Sequence, residues 1–227
     1  MSARWPGPVP TMVPTTEAAD PVRVSGIVPD AHHPGTVRVQ VGGRALLTVP
    51  QEALARLGIQ VGAELDPGQH TALCQAADAE AAYRAALLCL GRRPYARRDL
   101  ARRLVMRGHP PGAADQAVER ATTVGLLDDA TFARHFIQTR SARGRGPARL
   151  RRELVGMGVP PLLVDRVLAE ETPQDGHEAV AALIRKRAAQ LREVPRAERV
   201  RRVIAYLARR GYTGVEARRA VRELLPS

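Results

Sequence analysis

Apolar and polar residues alternate near the beginning of the chain. From Val37 to Val41 every second residue is a valine and the residues between are polar, which is the period of a half-buried β-strand. A looser alternation precedes it, and Ala45–Val49 predicts a returning strand. The intervening Gly42-Gly43 pair tolerates the positive φ of a tight hairpin turn. The pattern therefore predicts a small β unit, with strand confined to about residues 22–50.

The pattern changes to a helical one further along the chain. A short helix is predicted at Gln51–Leu57, ended by Gly58. From about Asp78 onward, Leu and Ala recur at spacings of three and four residues, and Gly and Pro fall between the helical stretches. The first helix of each of three groups is predicted at Ala81–Leu90, Thr131–Arg140 and Glu178–Leu191.

The helical part contains an internal repeat. Three helices end in a glycine, at Gly108, Gly158 and Gly211, which are 50 and 53 residues apart. Apolar residues recur eight and four positions before each glycine and ten positions after it. These residues are Leu100, Leu104 and Val118, then Leu150, Leu154 and Leu168, then Val203, Leu207 and Val221. The chain is therefore predicted to be mainly α, with tandem three-helix repeats of about 50 residues stacked in a short curved solenoid.

These patterns divide the chain into five segments. Residues 1–21 are rich in proline and lack the continuous apolar stretch of a secretory signal, so we expect a disordered tail. Residues 22–75 form the β-rich unit. Repeat 1 is predicted at 76–127, repeat 2 at 128–174 and repeat 3 at 175–227.

Charge is distributed unevenly between these segments. The net charge is +12. Residues 1–75 contain five basic and six acidic groups, a net charge of −1, whereas residues 76–227 contain 30 basic and 17 acidic groups, a net charge of +13. A cationic excess confined to the helical repeats suggests a polyanionic partner.

The sequence offers no catalytic, metal-binding or cofactor-binding constellation. Cys74 and Cys89 are not spaced as zinc ligands and are expected to be reduced core residues. His32 and His33 lie in a predicted loop. No P-loop is present, and no apolar run approaches the roughly 18 residues of a membrane span. We therefore expect a cytoplasmic protein that is neither an enzyme nor membrane-bound and carries no cofactor.

Two short motifs have competing interpretations. Asp128 and Asp129 could be paired catalytic carboxylates, but their position before a helix favours an N-cap at Asp128. The segment Gly144–Pro147 is either a linker with Pro at the first helical position or a contact for a phosphate or an acidic partner, since a helix N-terminus follows it.

Arginines are the candidate binding residues. Arg102 and Arg152 both lie six residues before a repeat glycine, so stacked repeats would place matching arginines in rows suited to phosphates or carboxylates. Solvated helix faces are the alternative. The candidates for contact with a partner protein or phosphate are Arg98, Arg102, Arg143, Arg145, Arg149 and Arg152.

The sequence resembles the RecX family of bacterial recombination regulators. The segment Gly125–Ala133, with sequence GLLDDATFA, is similar to the family's most characteristic motif. Arg92–Leu100 and Gly144–Leu150 resemble two further family motifs. Ala96 stands where the family usually has Ser, so the side chain that would cap the following helix is missing.

The resemblance implies a function in recombination control. Members of the family bind RecA filaments on single-stranded DNA and inhibit filament extension, ATP hydrolysis and strand exchange, which damps the SOS response. We expect a monomer whose partner is the RecA filament. The alternative is a direct DNA-binding protein or transcriptional regulator that contacts single- or double-stranded DNA. Ala and Val on the third helices disfavour base readout.

Overall fold

The computed structural model describes residues 22–43, 45–171 and 176–225, which form four strands and ten helices. The tail predicted at residues 1–21 lies outside the described residues. The chain divides into two compact units. Of the described residues, the first comprises those up to Pro94 together with Asp99–Leu127, and the second comprises Tyr95–Arg98 together with those from Asp128 onward.

The N-terminal β unit is an antiparallel sheet with strand order β3-β2-β1-β4. Its strands are β1 at Val22–Pro29, β2 at Thr36–Val41, β3 at Ala45–Pro50 and β4 at Glu64–Leu65. Gly42 and Gly43 connect β2 to β3 with φ values of 58° and 69°, as the hairpin prediction required. The predicted β unit is therefore confirmed.

The expectation that strand is confined to about residues 22–50 is wrong, because β4 adds a strand beyond that range. This two-residue strand pairs with the beginning of β1, where Leu65 lies opposite Val22. Two further hydrogen bonds join Val24 of β1 to the loop that precedes β4. Val24 N–H donates to Ala63 O at 3.0 Å, and Gly62 N–H donates to Val24 O at 2.8 Å. Two residues are too few to show an alternation in the sequence.

The first two helices follow the sheet. Helix α1, Gln51–Leu57, ends at Gly58 as predicted. Helix α2, Pro67–Leu90, begins well before the expected Ala81. Its start is fixed by a capping box in which Gln69 N–H donates to Asp66 Oδ1 at 2.8 Å and Asp66 N–H donates to Gln69 Oε1 at 3.2 Å.

Eight further helices complete the described chain, and the prediction of tandem three-helix repeats is confirmed. They are α3 at Arg97–Val105, α4 at Pro111–Thr123, α5 at Asp129–Ser141, α6 at Pro147–Gly156, α7 at Pro161–Glu171, α8 at Gly176–Ala189, α9 at Arg196–Arg210 and α10 at Val215–Leu224. Helices α2 to α4, α5 to α7 and α8 to α10 form repeats 1, 2 and 3 respectively.

The repeat glycines end the middle helices α3, α6 and α9 in the same way. Gly108, Gly158 and Gly211 have φ values of 92°, 93° and 90°. In each repeat the residue after the glycine donates its N–H to the leucine four positions before that glycine, at 3.2, 3.1 and 3.0 Å. This is the Schellman motif, in which a glycine in the left-handed conformation reverses the chain so that amides beyond the helix donate to carbonyls of its last turn. The same three leucines are fully buried.

Each repeat of the second unit has its own apolar cluster. In repeat 2, Phe132 and Ile137 of α5 pack with Leu150 and Leu154 of α6. In repeat 3, Ile184 of α8 packs with residues of α9 and α10. These clusters bury the aligned apolar positions and leave the arginine-rich helix faces exposed.

The β unit docks on repeat 1 through a charged network. Glu80 of α2, which is only 5% exposed, accepts from Arg84 Nε at 3.0 Å and Arg120 Nη1 at 2.9 Å. Arg84 also donates to Asp30 Oδ2 at 3.2 Å and to Thr36 Oγ1 at 2.9 Å. Because buried charges require partners, this network fixes the sheet against α2.

Candidate partner-binding surface

Two of the six candidate arginines bind the same carboxylate. Arg145 Nη1 lies 2.5 Å from Glu153 Oε2, and Arg149 Nε lies 2.8 Å from Glu153 Oε1. Burial acts to raise the pKa of Glu153, but hydrogen bonds from the two guanidiniums outweigh burial and hold this pKa below its ordinary value. These two arginines are therefore largely neutralised within repeat 2.

Arg149 also lies at a joint between repeats 2 and 3. The N-terminus of α6 faces the C-terminus of α9, where Gly146 N–H donates to Arg210 O at 2.6 Å and Ala148 N–H donates to Gly211 O at 3.2 Å. A Cβ added to Gly211 would lie 2.4 Å from the Cβ of Arg149. Glycine is thus required here both for its conformation and for close approach.

The joint bears on the two interpretations of Gly144–Pro147. Pro147 occupies the first turn of α6, as the linker interpretation predicted. The Gly146 and Ala148 amides donate to the carbonyls of Arg210 and Gly211, so they are not available to a phosphate. The segment connects repeats 2 and 3, and contact of the neighbouring arginines with an acidic partner stays a prediction.

A similar joint lies at the beginning of α3. A Cβ added to Gly158, at the end of α6, would lie 2.4 Å from the Cβ of Arg98. Arg97 N–H donates to Asp129 Oδ1 at 2.8 Å. Asp129 therefore caps the first amide of α3, while Ala96, which has no acceptor side chain, is fully buried in the cluster of repeat 2.

Asp128 is an N-cap, as predicted. Its carboxylate accepts from Thr131 N–H at 2.8 Å and Ala130 N–H at 3.3 Å. The hydrogen bonds with Thr131 hold the pKa of Asp128 below its ordinary value. Because the folded-state pKa is depressed, this cap stabilises the fold at neutral pH and is lost as the pH falls through that pKa. Both aspartates of the motif thus cap helices.

Replacing Asp129 by alanine is expected to destabilise the protein by about 1–3 kcal/mol, because it leaves the Arg97 amide without an acceptor. Asp129→Asn retains an acceptor oxygen and should restore most of this loss. Urea unfolding of the two variants measures the difference. An Asp129→Ala variant as stable as the parent protein would contradict the capping role.

The other four candidate arginines are exposed. Arg98, Arg143 and Arg152 have no carboxylate within ion-pair distance among the described residues, whereas Arg102 has an interaction partner. Arg152 projects from α6 and Arg143 lies in the loop before it. The structure thus separates the six candidates into two engaged at the joint and four at the surface.

Repeat 3 carries the strongest cationic excess, which the sequence interpretation did not single out. Residues 176–225 contain thirteen basic and five acidic groups, a net charge of +8. Exposed arginines without a carboxylate partner among the described residues occur on α9 and α10: Arg201, Arg209, Arg218 and Arg222. Counting charge separately for each repeat would have indicated this surface.

Other kinds of site are not found in the described part of the chain. No cluster of three or more His, Cys, Asp or Glu side chains there is arranged to hold a metal ion. Cys74 is half-buried and Cys89 is buried, and both thiols are free. None of the described helices is long and apolar enough to cross a membrane.

Comparisons with known proteins agree with the repeat architecture. Residues 82–120, 128–168 and 174–221 match the family models of the first, second and third three-helix domains of RecX respectively. The three matches follow one another along the chain and fall on repeats 1, 2 and 3.

Named relatives and solved structures give the same result. The chain is 38% identical to regulatory protein RecX of Halorhodospira halophila, covering 63% of this chain and 88% of that protein. It is 36% identical to regulatory protein RecX of Streptomyces coelicolor, over 58% of this chain and 71% of that protein. A crystal structure of regulatory protein RecX matches with a TM-score of 0.73 at 21% identity, over 89% of this chain and 99% of that one. RecX from Lactobacillus salivarius matches with a TM-score of 0.60 at 18% identity, over 65% and 96%. The chain belongs to the RecX family of regulatory proteins.

Proposed function

We propose that this protein binds RecA filaments on single-stranded DNA in the cytoplasm and inhibits filament extension, ATP hydrolysis and strand exchange. It thereby damps recombination and the SOS response without catalysing a reaction itself. The observation that carries the proposal is the match of all three RecX three-helix domains, in order, along residues 82–221.

The tandem repeats suit a partner that presents the same surface many times. Contacts that are individually weak act together when they are linked in one chain, because each raises the effective concentration of the next. The connection of α6 to α9 through backbone hydrogen bonds supports such joint action by repeats 2 and 3. Exposed guanidiniums, among them Arg152, supply donors for carboxylates on the partner.

A RecA pull-down in the absence of DNA tests this proposal. The full-length protein is immobilised, and RecA with a non-hydrolysable ATP analogue is passed over it at moderate salt. Retention of RecA is expected. If RecA is retained only when single-stranded DNA is added, and DNA alone is retained equally well, the RecA-binding proposal is wrong and direct DNA binding explains the result.

Direct nucleic-acid binding is the second candidate function, and the charge of repeat 3 favours it. Arg218 and Arg222 lie one turn apart on α10, so their exposed side chains follow one side of the helix. Arginines placed in this way can contact successive phosphates, and such contacts weaken steeply with added salt.

Replacing Arg218 and Arg222 together by alanine is expected to weaken binding to single-stranded DNA. The slope of the logarithm of the binding constant against the logarithm of the salt concentration should decrease in magnitude by about 1–2. Arg38→Ala with Arg56→Ala is the matched control, because it removes two exposed arginines from the β unit and changes the net charge equally. Fluorescence anisotropy over a salt series measures both variants. Equal affinities and slopes for the two variants would exclude a specific nucleic-acid contact at α10.

A further inference from the structure

Tyr206 on α9 is in contact with two arginine guanidiniums. Cζ of Arg210, one turn further along α9, lies 4.7 Å from the centre of the Tyr206 ring, and Cζ of Arg187 on α8 lies 5.6 Å from it. All three residues are half-buried. Contacts of this kind are cation–π interactions, in which the electron-rich face of the ring attracts a cation. We call these three residues the Tyr206 cluster.

The two guanidiniums of the Tyr206 cluster have no negatively charged partner. Neither Arg187 nor Arg210 forms an ion pair with a carboxylate in the part of the chain that the structure describes. Arg187 Nη1 donates to Gln190 Oε1 at 2.8 Å, and Arg210 Nη1 donates to Gly144 O at 3.5 Å. Arg187 Nε is buried and has no hydrogen-bond partner among the described residues. Because a guanidinium has more N–H donors than these contacts use, the cluster has donors left for a ligand.

Other arginines at the joint between repeats 2 and 3 do have a counter-ion. Arg145 and Arg149 share the carboxylate of Glu153, which balances their charge. The Tyr206 cluster brings two like charges to one aromatic ring without such a carboxylate. Two cations held close together in a partly buried place repel each other and attract an anion. An anion that contacts both guanidiniums would do for the cluster what Glu153 does for Arg145 and Arg149.

The Tyr206 cluster is connected to repeat 2 through the loop that precedes α6. Besides the hydrogen bond from Arg210 to Gly144, a Cβ added to Gly144 would lie 3.0 Å from Arg210 Nη1 and 3.6 Å from Leu183 Cδ2 of α8. Arg143, which is exposed and has no ion pair among the described residues, precedes Gly144 in this loop. A ligand held by the cluster therefore lies where α8 and α9 meet the loop of repeat 2, and its binding strengthens the joint.

We propose that the Tyr206 cluster binds a phosphate group with two negative charges, as in inorganic phosphate, pyrophosphate or a terminal phosphate, and that the bound group stabilises the joint between repeats 2 and 3. A guanidinium forms paired, parallel hydrogen bonds with phosphate oxygens, and a tyrosine hydroxyl is a further donor. The site goes beyond the proposed function, because phosphate binding at the cluster does not require RecA.

The charge of the ligand distinguishes such a group from the backbone of a nucleic acid. A free or terminal phosphate has about two negative charges near neutral pH, which match the two guanidiniums, whereas each phosphodiester of DNA has one. A chain of phosphodiesters binds along rows of exposed arginines, such as Arg218 and Arg222 on α10. The Tyr206 cluster is instead half-buried and brings two guanidiniums to one ring, which favours a single compact anion.

Isothermal titration calorimetry of the full-length protein with pyrophosphate, at constant ionic strength, tests the site. Arg187→Gln and Arg210→Gln are each expected to weaken pyrophosphate binding about tenfold, because each variant removes one guanidinium. Arg201→Gln is the matched control, since Arg201 is an exposed arginine of α9 outside the cluster and the change in net charge is the same. The affinity of this control for pyrophosphate should equal that of the parent protein.

Thermal melting provides a second readout and a check on folding. Pyrophosphate is expected to raise the Tm of the parent protein and of Arg201→Gln, since a ligand that binds only the folded state stabilises it. The rise should be largely lost in Arg187→Gln. Arg187→Lys keeps the charge but loses the planar guanidinium, so its affinity should lie between those of Arg187→Gln and the parent protein. This variant decides the result if Arg187→Gln or Arg210→Gln does not fold.

Competition with pyrophosphate distinguishes the sources of the phosphate group. Displacement by inorganic phosphate indicates a free anion, and stronger displacement by a 5′-phosphorylated oligonucleotide than by its unphosphorylated counterpart indicates a nucleic-acid end; both results support the site. No binding of pyrophosphate by the parent protein, or an equal loss in Arg201→Gln and Arg187→Gln, overturns the proposal. Equal displacement by the two oligonucleotides, with none by inorganic phosphate, also overturns it, because the cluster then binds phosphodiesters.

Discussion

Gly211→Ala is expected to destabilise the second unit by about 2–5 kcal/mol. The left-handed conformation of Gly211, with φ of 90°, costs an alanine about 1–2 kcal/mol. The new Cβ would also lie 2.4 Å from the Cβ of Arg149 and 2.5 Å from its backbone N, so the joint between α6 and α9 must open. Overpacking of this kind costs about 1–3 kcal/mol. Urea unfolding followed by circular dichroism measures the loss.

Gly125→Ala is the matched control for this prediction. Gly125 ends α4 with φ of 74° and the same pattern of backbone hydrogen bonds, but a Cβ there would meet no atom within 4 Å. It should therefore show only the cost of the left-handed conformation. If the two alanine variants lose equal stability, the close approach at Gly211 does not hold the repeats together.

Leu104→Ala, Leu154→Ala and Leu207→Ala are each expected to cost about 2–5 kcal/mol, because a fully buried leucine leaves a cavity when it is truncated. Leu162→Ala is the control on an exposed helix position, with an expected change below about 0.5 kcal/mol. Urea melts of the four variants provide the comparison. A loss below about 1 kcal/mol at any of the three buried positions would contradict its place in the repeat core.

The repeat could be predicted from the sequence because its signals are local. A glycine after a helix, with a leucine four residues earlier, favours a Schellman motif, and here the same spacing recurs in three repeats. The same spacing places that leucine on the buried face. The positions of Gly108, Gly158 and Gly211 are therefore enough to locate the ends of the three middle helices.

The hydrophobic pattern did not give the starts of some elements. Helix α2 begins at Pro67 because Asp66 and Gln69 form a capping box, although its apolar periodicity is clear only from about Asp78. Strand β4 depends on pairing with β1, which is distant in sequence. Both cases depend on contacts that a hydrophobic pattern does not record.

The candidate binding surface was harder to predict than the fold. Matching positions in the repeats make their arginines look equivalent, but Arg149 is held by Glu153 at a joint whereas Arg152 is exposed. The Arg149–Glu153 pair is spaced by four residues within α6, so the sequence could have shown it. The role of Asp129 as a cap for Arg97 could not be predicted in this way, since it joins residues 32 positions apart. Arg98, Arg102, Arg143 and Arg152 remain predicted contacts.

The most direct test of RecA inhibition measures ATP hydrolysis by RecA on single-stranded DNA with substoichiometric amounts of the full-length protein. Inhibition is expected at ratios well below one per RecA, because a regulator of filament extension acts on many subunits at once. The protein alone should not hydrolyse ATP. Unchanged RecA hydrolysis at every ratio, with the cognate RecA and at moderate salt, would contradict the proposed function.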